Sequence, residues 1–136
     1  MTPSSATVLI VDDDVPLRTA FSRAIERHGY RVCATTGSPG VLDLIAEHRP
    51  ALVLMDNHMP ETGGVELVAR IRQRWSVNEL PIVLISGSSI QGEIDEAMRA
   101  GANDFRRKPI DLIDLLSTVE RFIPSPNSTR PVGQDS

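Results

Sequence analysis

Three adjacent carboxylates, Asp12, Asp13 and Asp14, follow the apolar run Thr7 to Val11, and a fourth, Asp56, follows Ala51 to Met55. Ser86 comes directly after Pro81 to Ile85, and Lys108, the single lysine among 14 basic residues, lies just past Asp104 to Arg106. If the apolar runs are parallel strands, all of these side chains sit at carboxyl ends, where doubly wound sheets bind ligands. Two carboxylates held 4 Å apart repel by about 4 kcal/mol at an effective dielectric of about 20. Raised pKa values or a bound cation must offset that repulsion. Hard, oxygen-only ligands favour Mg²⁺, and no His-x-x-x-His or Cys-x-x-Cys cluster competes for zinc. An ammonium and a hydroxyl beside such a metal suit phosphoryl chemistry. A neighbouring carboxylate can then be the nucleophile, forming an acyl phosphate.

Five short runs, at Thr7 to Val11, Tyr30 to Thr35, Ala51 to Met55, Pro81 to Ile85 and Asp104 to Arg106, must do the positioning. The first, third and fourth are continuously apolar, as in strands covered on both faces. Between them come segments of helical spacing. The first carries Leu17, Phe21, Ala24 and Ile25, with Asp14 as N-cap and Pro16 in its first turn. The second begins at Ser38-Pro39 and presents Val41, Leu42, Leu44 and Ile45. The third offers Val65, Val68, Ile71 and Trp75, and the fourth, around Ile94 to Ala100, is weakly amphipathic. The last, Leu112, Leu115, Leu116, Val119, Phe122 and Ile123 after an Asp111 cap, is the clearest stripe. Alternating strand and helix imply an α/β fold, a doubly wound parallel sheet with helices on both faces. The second strand ends in Thr35-Thr36, without an acidic group, and so reads as an edge strand outside the site.

At 136 residues the chain has the length of one domain, and 40% apolar with 24% charged residues is an ordinary globular composition. A net charge of -4 argues against nucleic-acid or membrane-surface partners, which select basic faces. The lone Cys33 reads as a small buried apolar residue. Neither a signal peptide nor a membrane span is visible, so a soluble cytoplasmic protein is expected. The boundaries expected are a flexible start over 1–6, a folded domain over 7–123, and a polar Pro/Ser-rich tail or linker start over 124–136.

Four blocks in order carry a resemblance: Val8-Leu9-Ile10-Val11-Asp12-Asp13-Asp14; Leu54-Met55-Asp56-Asn57-His58-Met59-Pro60 with Gly64; Pro81-Ile82-Val83-Leu84-Ile85-Ser86-Gly87; and Gly101-Ala102-Asn103-Asp104-Phe105-Arg106-Arg107-Lys108-Pro109. Together they resemble the receiver domain of the two-component response-regulator family, from about Thr7 to Ile123. The resemblance implies a flavodoxin-like sheet of five parallel strands in the order 2-1-3-4-5. It implies that Asp56 accepts a phosphoryl group from the phosphohistidine of a sensor histidine kinase or a histidine phosphotransfer protein. Mg²⁺ would be held by Asp13, Asp56 and the backbone carbonyl of His58, with Asp12 acting mainly through water. By the same resemblance Ser86 and Lys108 contact phosphoryl oxygens, Lys108-Pro109 is a cis peptide, and Phe105 is the aromatic switch that turns inward with Ser86 on activation. His58 occupies a position where family side chains influence how long the acyl phosphate survives, and Gly87 one where a small residue is usual.

Such a domain is a signalling module rather than an enzyme, catalysing only its own phosphorylation and dephosphorylation. Its output is a downstream protein partner or a fused output domain. Dimerisation through the fourth and fifth helices is a family habit that these residues neither demand nor exclude. The alternatives are a Mg²⁺-dependent phosphatase of haloacid dehalogenase type, a flavodoxin-like binding module, or a receiver cut from a longer regulator or hybrid kinase. The phosphatase pattern fails at Pro16 and lacks a late acidic pair, and no Gly-x-Gly-x-x-Gly loop follows the first strand.

Overall fold

The architecture was obtained as a computed structural model that describes residues 6–37, 40–59, 63–87 and 91–123. Strand and helix alternate along it: β1 (Thr7–Val11), α1 (Val15–Arg27), β2 (Arg31–Thr35), α2 (Val41–His48), β3 (Leu52–Asp56), α3 (Gly64–Arg72), β4 (Ile82–Ser86), α4 (Gln91–Ala100), β5 (Asp104–Arg107) and α5 (Leu112–Phe122). The strands form one parallel sheet in the order β2-β1-β3-β4-β5, the flavodoxin-like arrangement expected. β1 and β3 are neighbours near the centre, with Val8 opposite Leu52 and Val11 opposite Met55, and β2 is an edge strand.

Because side chains alternate across a strand, the continuous apolar runs feed two cores. Val8, Ile10, Leu52, Leu54, Val83 and Ile85 pack with Phe21 and Ile25 of α1 and Leu115 and Val119 of α5. Leu9, Val11, Val53, Met55, Ile82 and Leu84 pack on the other face with residues of α2 and α3 and with Ala97 of α4. Burying each such aliphatic side chain is worth about 1.5–3 kcal/mol. The two caps read from the sequence form as expected: the Leu17 amide donates to Asp14 Oδ1 at 3.0 Å and the Asp114 amide to Asp111 Oδ1 at 2.8 Å.

Local differences have physical reasons. β3 and β4 extend through Asp56 and Ser86, since the ladder continues there opposite Ile85 and Arg107. Tyr30 precedes β2 rather than starting it, and its buried hydroxyl donates to the Ile123 carbonyl at 2.6 Å. Trp75 lies beyond α3, because the Arg72 guanidinium donates to the carbonyls of Trp75 and Ser76 at 3.1 Å and holds the chain in a turn. Leu67 occupies the α3 core instead. Leu112 is exposed at the start of α5, where Thr118 goes inside with its hydroxyl donating to the Asp114 carbonyl. Cys33, on the edge strand, is half-buried. The expected helix start at Ser38-Pro39 and, apart from Ala6, the expected terminal segments lie outside the described residues. Among the described residues no helix is long and apolar enough to cross a membrane.

Candidate functional site

Parallel strands bring all their carboxyl ends to one edge of the sheet. The Asp12 amide donates to the Thr35 carbonyl at 3.1 Å, extending the β1–β2 ladder by one residue. The Arg18 guanidinium binds the Asp12 carbonyl at 2.7 Å, and the Asp14 amide donates to Asp12 Oδ1 at 2.9 Å. These bonds fix the Asp12 carboxylate inward, where it is 4% exposed. Asp56, ending β3, is 6% exposed beside it, whereas Asp13 is open to solvent. One carboxylate oxygen from each of Asp12, Asp13 and Asp56 falls within 4.8 Å of the others.

Lys108 enters from past β5. Its amide donates to the Ser86 carbonyl at 2.7 Å, and Lys108-Pro109 is cis. The ammonium lies 3.6 Å from Asp12 Oδ2 and 3.5 Å from Asp56 Oδ1. One ammonium against three carboxylates leaves two negative charges, the complement of a divalent cation. Burial pushes the Asp12 carboxyl up from its ordinary value, with Asp56 and Asp13 adding to the push; the Asp14 amide and the Lys108 ammonium oppose it. The donor set is oxygen-only and open at Asp13, which fits a hard divalent metal ion that retains water.

The loop after Asp56 is tightly constrained. The His58 amide donates to Asp56 Oδ1 at 3.1 Å, and buried Asn57 accepts the Gly64 amide at 2.9 Å. A Cβ on Gly64 would lie 2.8 Å from the Asn57 Cα, so only glycine lets α3 approach so closely. The His58 imidazole is 3.3 Å from the Glu93 carboxylate on α4. Ser86 is fully buried at the end of β4, and Phe105 stands aside, half-buried against the core formed with α2, α3 and α4. Next to Lys108, Leu17, Phe21, Pro109 and Ile110 line an apolar cleft of about 380 Å³.

The fold thus brings Asp12, Asp13, Asp56 and Lys108 together, sets Ser86 and His58 at their margin, and leaves Asp14 as a cap. Sequence reasoning missed Arg18, Asn57 and Glu93. Arg18 carries a weak signal, one turn into the helix after the triple aspartate; Glu93 carries none, because its contact crosses 35 positions to reach His58.

A parallel sheet with clustered carboxylates and one ammonium at its carboxyl edge defines a doubly wound α/β domain with an acidic site at its strand ends. The sequence model of the response regulator receiver domain matches residues 8–120, and the chain belongs to that family, the phosphoacceptor domain of two-component signalling. It is 27% identical over 117 residues to the polar-differentiation response regulator DivK of Brucella anthropi, covering 86% of this chain and 95% of that one. Against the phosphate regulon transcriptional regulatory protein PhoB of Pseudomonas aeruginosa it is 28% identical, covering 86% of this chain but 51% of PhoB. Among solved structures, the chemotaxis response regulator CheY4 of Vibrio cholerae superposes with a TM-score of 0.81 at 26% identity, over 88% of this chain and all of that one. A probable response regulator/GGDEF domain protein gives a TM-score of 0.79 at 31% identity over 85% of this chain, which spans only 48% of it. None of these supports the phosphatase alternative.

Proposed function

We propose that Asp56 is the phosphoacceptor and that its charge state switches a partner-binding surface. The observation that carries this reading is the Lys108 ammonium spanning Asp12 and Asp56 at the carboxyl edge of the sheet. An Asp56 carboxylate oxygen attacks the phosphorus of a phosphohistidine. The P–N bond breaks, its electron pair leaves on the imidazole nitrogen, which then takes up a proton, and an aspartyl phosphate remains. Water later cleaves that product to inorganic phosphate and the free carboxylate. Lys108 and the Ser86 hydroxyl face the transferred group and bind its oxygens.

Asp13, Asp56 and the His58 carbonyl are the proposed direct ligands of Mg²⁺, with Asp12 acting through water. The metal supplies positive charge against the phosphoryl oxygens. Phe105 is proposed as the aromatic that responds to movement of Ser86. The apolar cleft of Leu17, Phe21, Pro109 and Ile110 beside Lys108 suits a protein donor, a sensor histidine kinase or a histidine phosphotransfer protein, since it offers desolvated contact area next to the acceptor. The domain acts on no substrate other than its own aspartate, works in the cytoplasm, and passes its state to a downstream protein or a fused output domain.

Intact-mass spectrometry after incubation with acetyl phosphate and Mg²⁺ tests the central point. One phosphoryl adduct is expected on wild type and none on Asp56→Asn. An unmodified wild type, or an adduct undiminished in the variant, refutes the assignment.

A further inference from the structure

The His58 residue makes two contacts that face opposite ways. Its amide donates to Asp56 Oδ1 at 3.1 Å, and its imidazole Nε2 lies 3.3 Å from Glu93 Oε1 in the first turn of α4. That Glu93 oxygen is enclosed and has no hydrogen-bond partner among the described residues. Leaving a buried carboxylate oxygen unsatisfied costs more than leaving a neutral acceptor so, and the imidazole Nε2, 3.3 Å away but outside hydrogen-bonding geometry, is the side-chain group set against it. α4 is otherwise lightly held, with Ala97 its one buried residue. Gln91 in the same first turn spends its amide on Asp95 within the helix. Glu93, in that same turn, reaches out of the helix to His58.

We propose that Glu93 is a positioning residue which, through His58, couples the charge on Asp56 to the anchoring of α4. The inference rests on the phosphoacceptor reading of Asp56. As a carboxylate, Asp56 accepts a charge-assisted hydrogen bond from the His58 amide, about twice as strong as a neutral one. Forming the P–O bond to Asp56, as the donor's own bond to phosphorus breaks, turns that carboxylate into the neutral carbonyl and bridging oxygen of an acyl phosphate, and the hold on the His58 backbone weakens. The imidazole moves with the backbone, the Glu93 oxygen loses the group set against it, and the first turn of α4 loosens. A helix with one buried side chain is sensitive to a single such contact. Coupling is reciprocal, so the state of Glu93 also biases the chemistry at Asp56.

Hydrogen exchange of the peptide covering Gln91–Ala100 tests this, on wild type, Glu93→Gln, His58→Ala and the double variant, each with and without acetyl phosphate and Mg²⁺ and compared at equal phosphoryl occupancy by intact mass. In wild type, phosphorylation should speed α4 exchange by about fivefold. In Glu93→Gln, exchange should already be fast and respond little, and the double variant should match the single variants, since both remove one contact. A wild-type α4 indifferent to phosphorylation, or a Glu93→Gln variant with the full wild-type response, overturns the coupling. Absence of a phosphoryl adduct on wild type would instead remove the phosphoacceptor reading, and the coupling with it.

Discussion

At the scale of single residues, Asp12 carries the tension of the site. Its carboxylate is almost wholly buried, and burial, with Asp56 and Asp13 beside it, raises its pKa. In the window between the ordinary carboxyl value and that raised one, the folded chain binds more protons than the unfolded chain. Stability therefore falls as pH rises through the window, and above it the ionised group is a standing penalty. Asp12→Asn, in the presence of a chelator, should be more stable than wild type at pH 7 by about 1 kcal/mol. The gap should close near about pH 3, where the carboxyl is largely protonated in both states. Thermal unfolding of the two proteins at the two pH values checks this, and a less stable variant at pH 7 contradicts it. The residue types were legible in the sequence because each polar group follows an apolar run, so that Asp12, Asp13, Asp56, Ser86 and Lys108 mark strand ends without any knowledge of packing. Arg18 and Glu93 were not, since their partners are set by how loops meet.

Between elements, Arg72 acts as the clasp of the edge opposite the acidic cluster. Its guanidinium donates to the carbonyls of Gly101, Trp75 and Ser76 and to Asn103 Oδ1, tying α3 to the turn before β4 and to the turn between α4 and β5. Asn103 Oδ1 also accepts the Ile82 amide, and the Asn103 side-chain amide donates to the Val77 carbonyl. Burial pulls the Arg72 pKa down. Gly101 permits the approach, with φ at 114° and the Arg72 Cγ 2.8 Å from where a Cβ would stand. Arg72→Ala should cost about 2–3 kcal/mol, because several partly buried carbonyls lose their donor. Arg72→Lys should recover little of that, an ammonium being unable to reproduce the fork. Urea unfolding midpoints measure both, and near-wild-type stability for either variant would contradict the clasp. Strand existence and both aspartate caps were readable from apolar runs and local spacing. The end of α3 was not, as it is set by the tertiary bonds of Arg72, and Leu112 was misplaced because a helix stripe does not reveal which end emerges into solvent.

For the molecule as a whole, the two uncompensated negative charges would make folding and the proposed cation binding one equilibrium. A divalent ion that binds the assembled pocket and not the unfolded chain stabilises by RT ln(1 + [L]/Kd), about 2.7 kcal/mol at a hundred times Kd. Mg²⁺ should therefore raise the wild-type Tm in a concentration-dependent way, and Asp13→Asn should abolish most of the rise; scanning calorimetry over a Mg²⁺ series reads both. An unchanged Mg²⁺ response in Asp13→Asn would remove that residue from the ligand set. The strand order carries a consequence for assembly itself. β1 and β3, which bring Asp12 and Asp56 together, lie in the first half of the chain, while Lys108 follows β5. Any partly folded form that pairs β1 with β3 before β5 docks gathers the repelling carboxylates without their ammonium. Such forms are penalised relative to the finished sheet, and the site's electrostatics thereby bind the two halves of the chain into one cooperative folding unit.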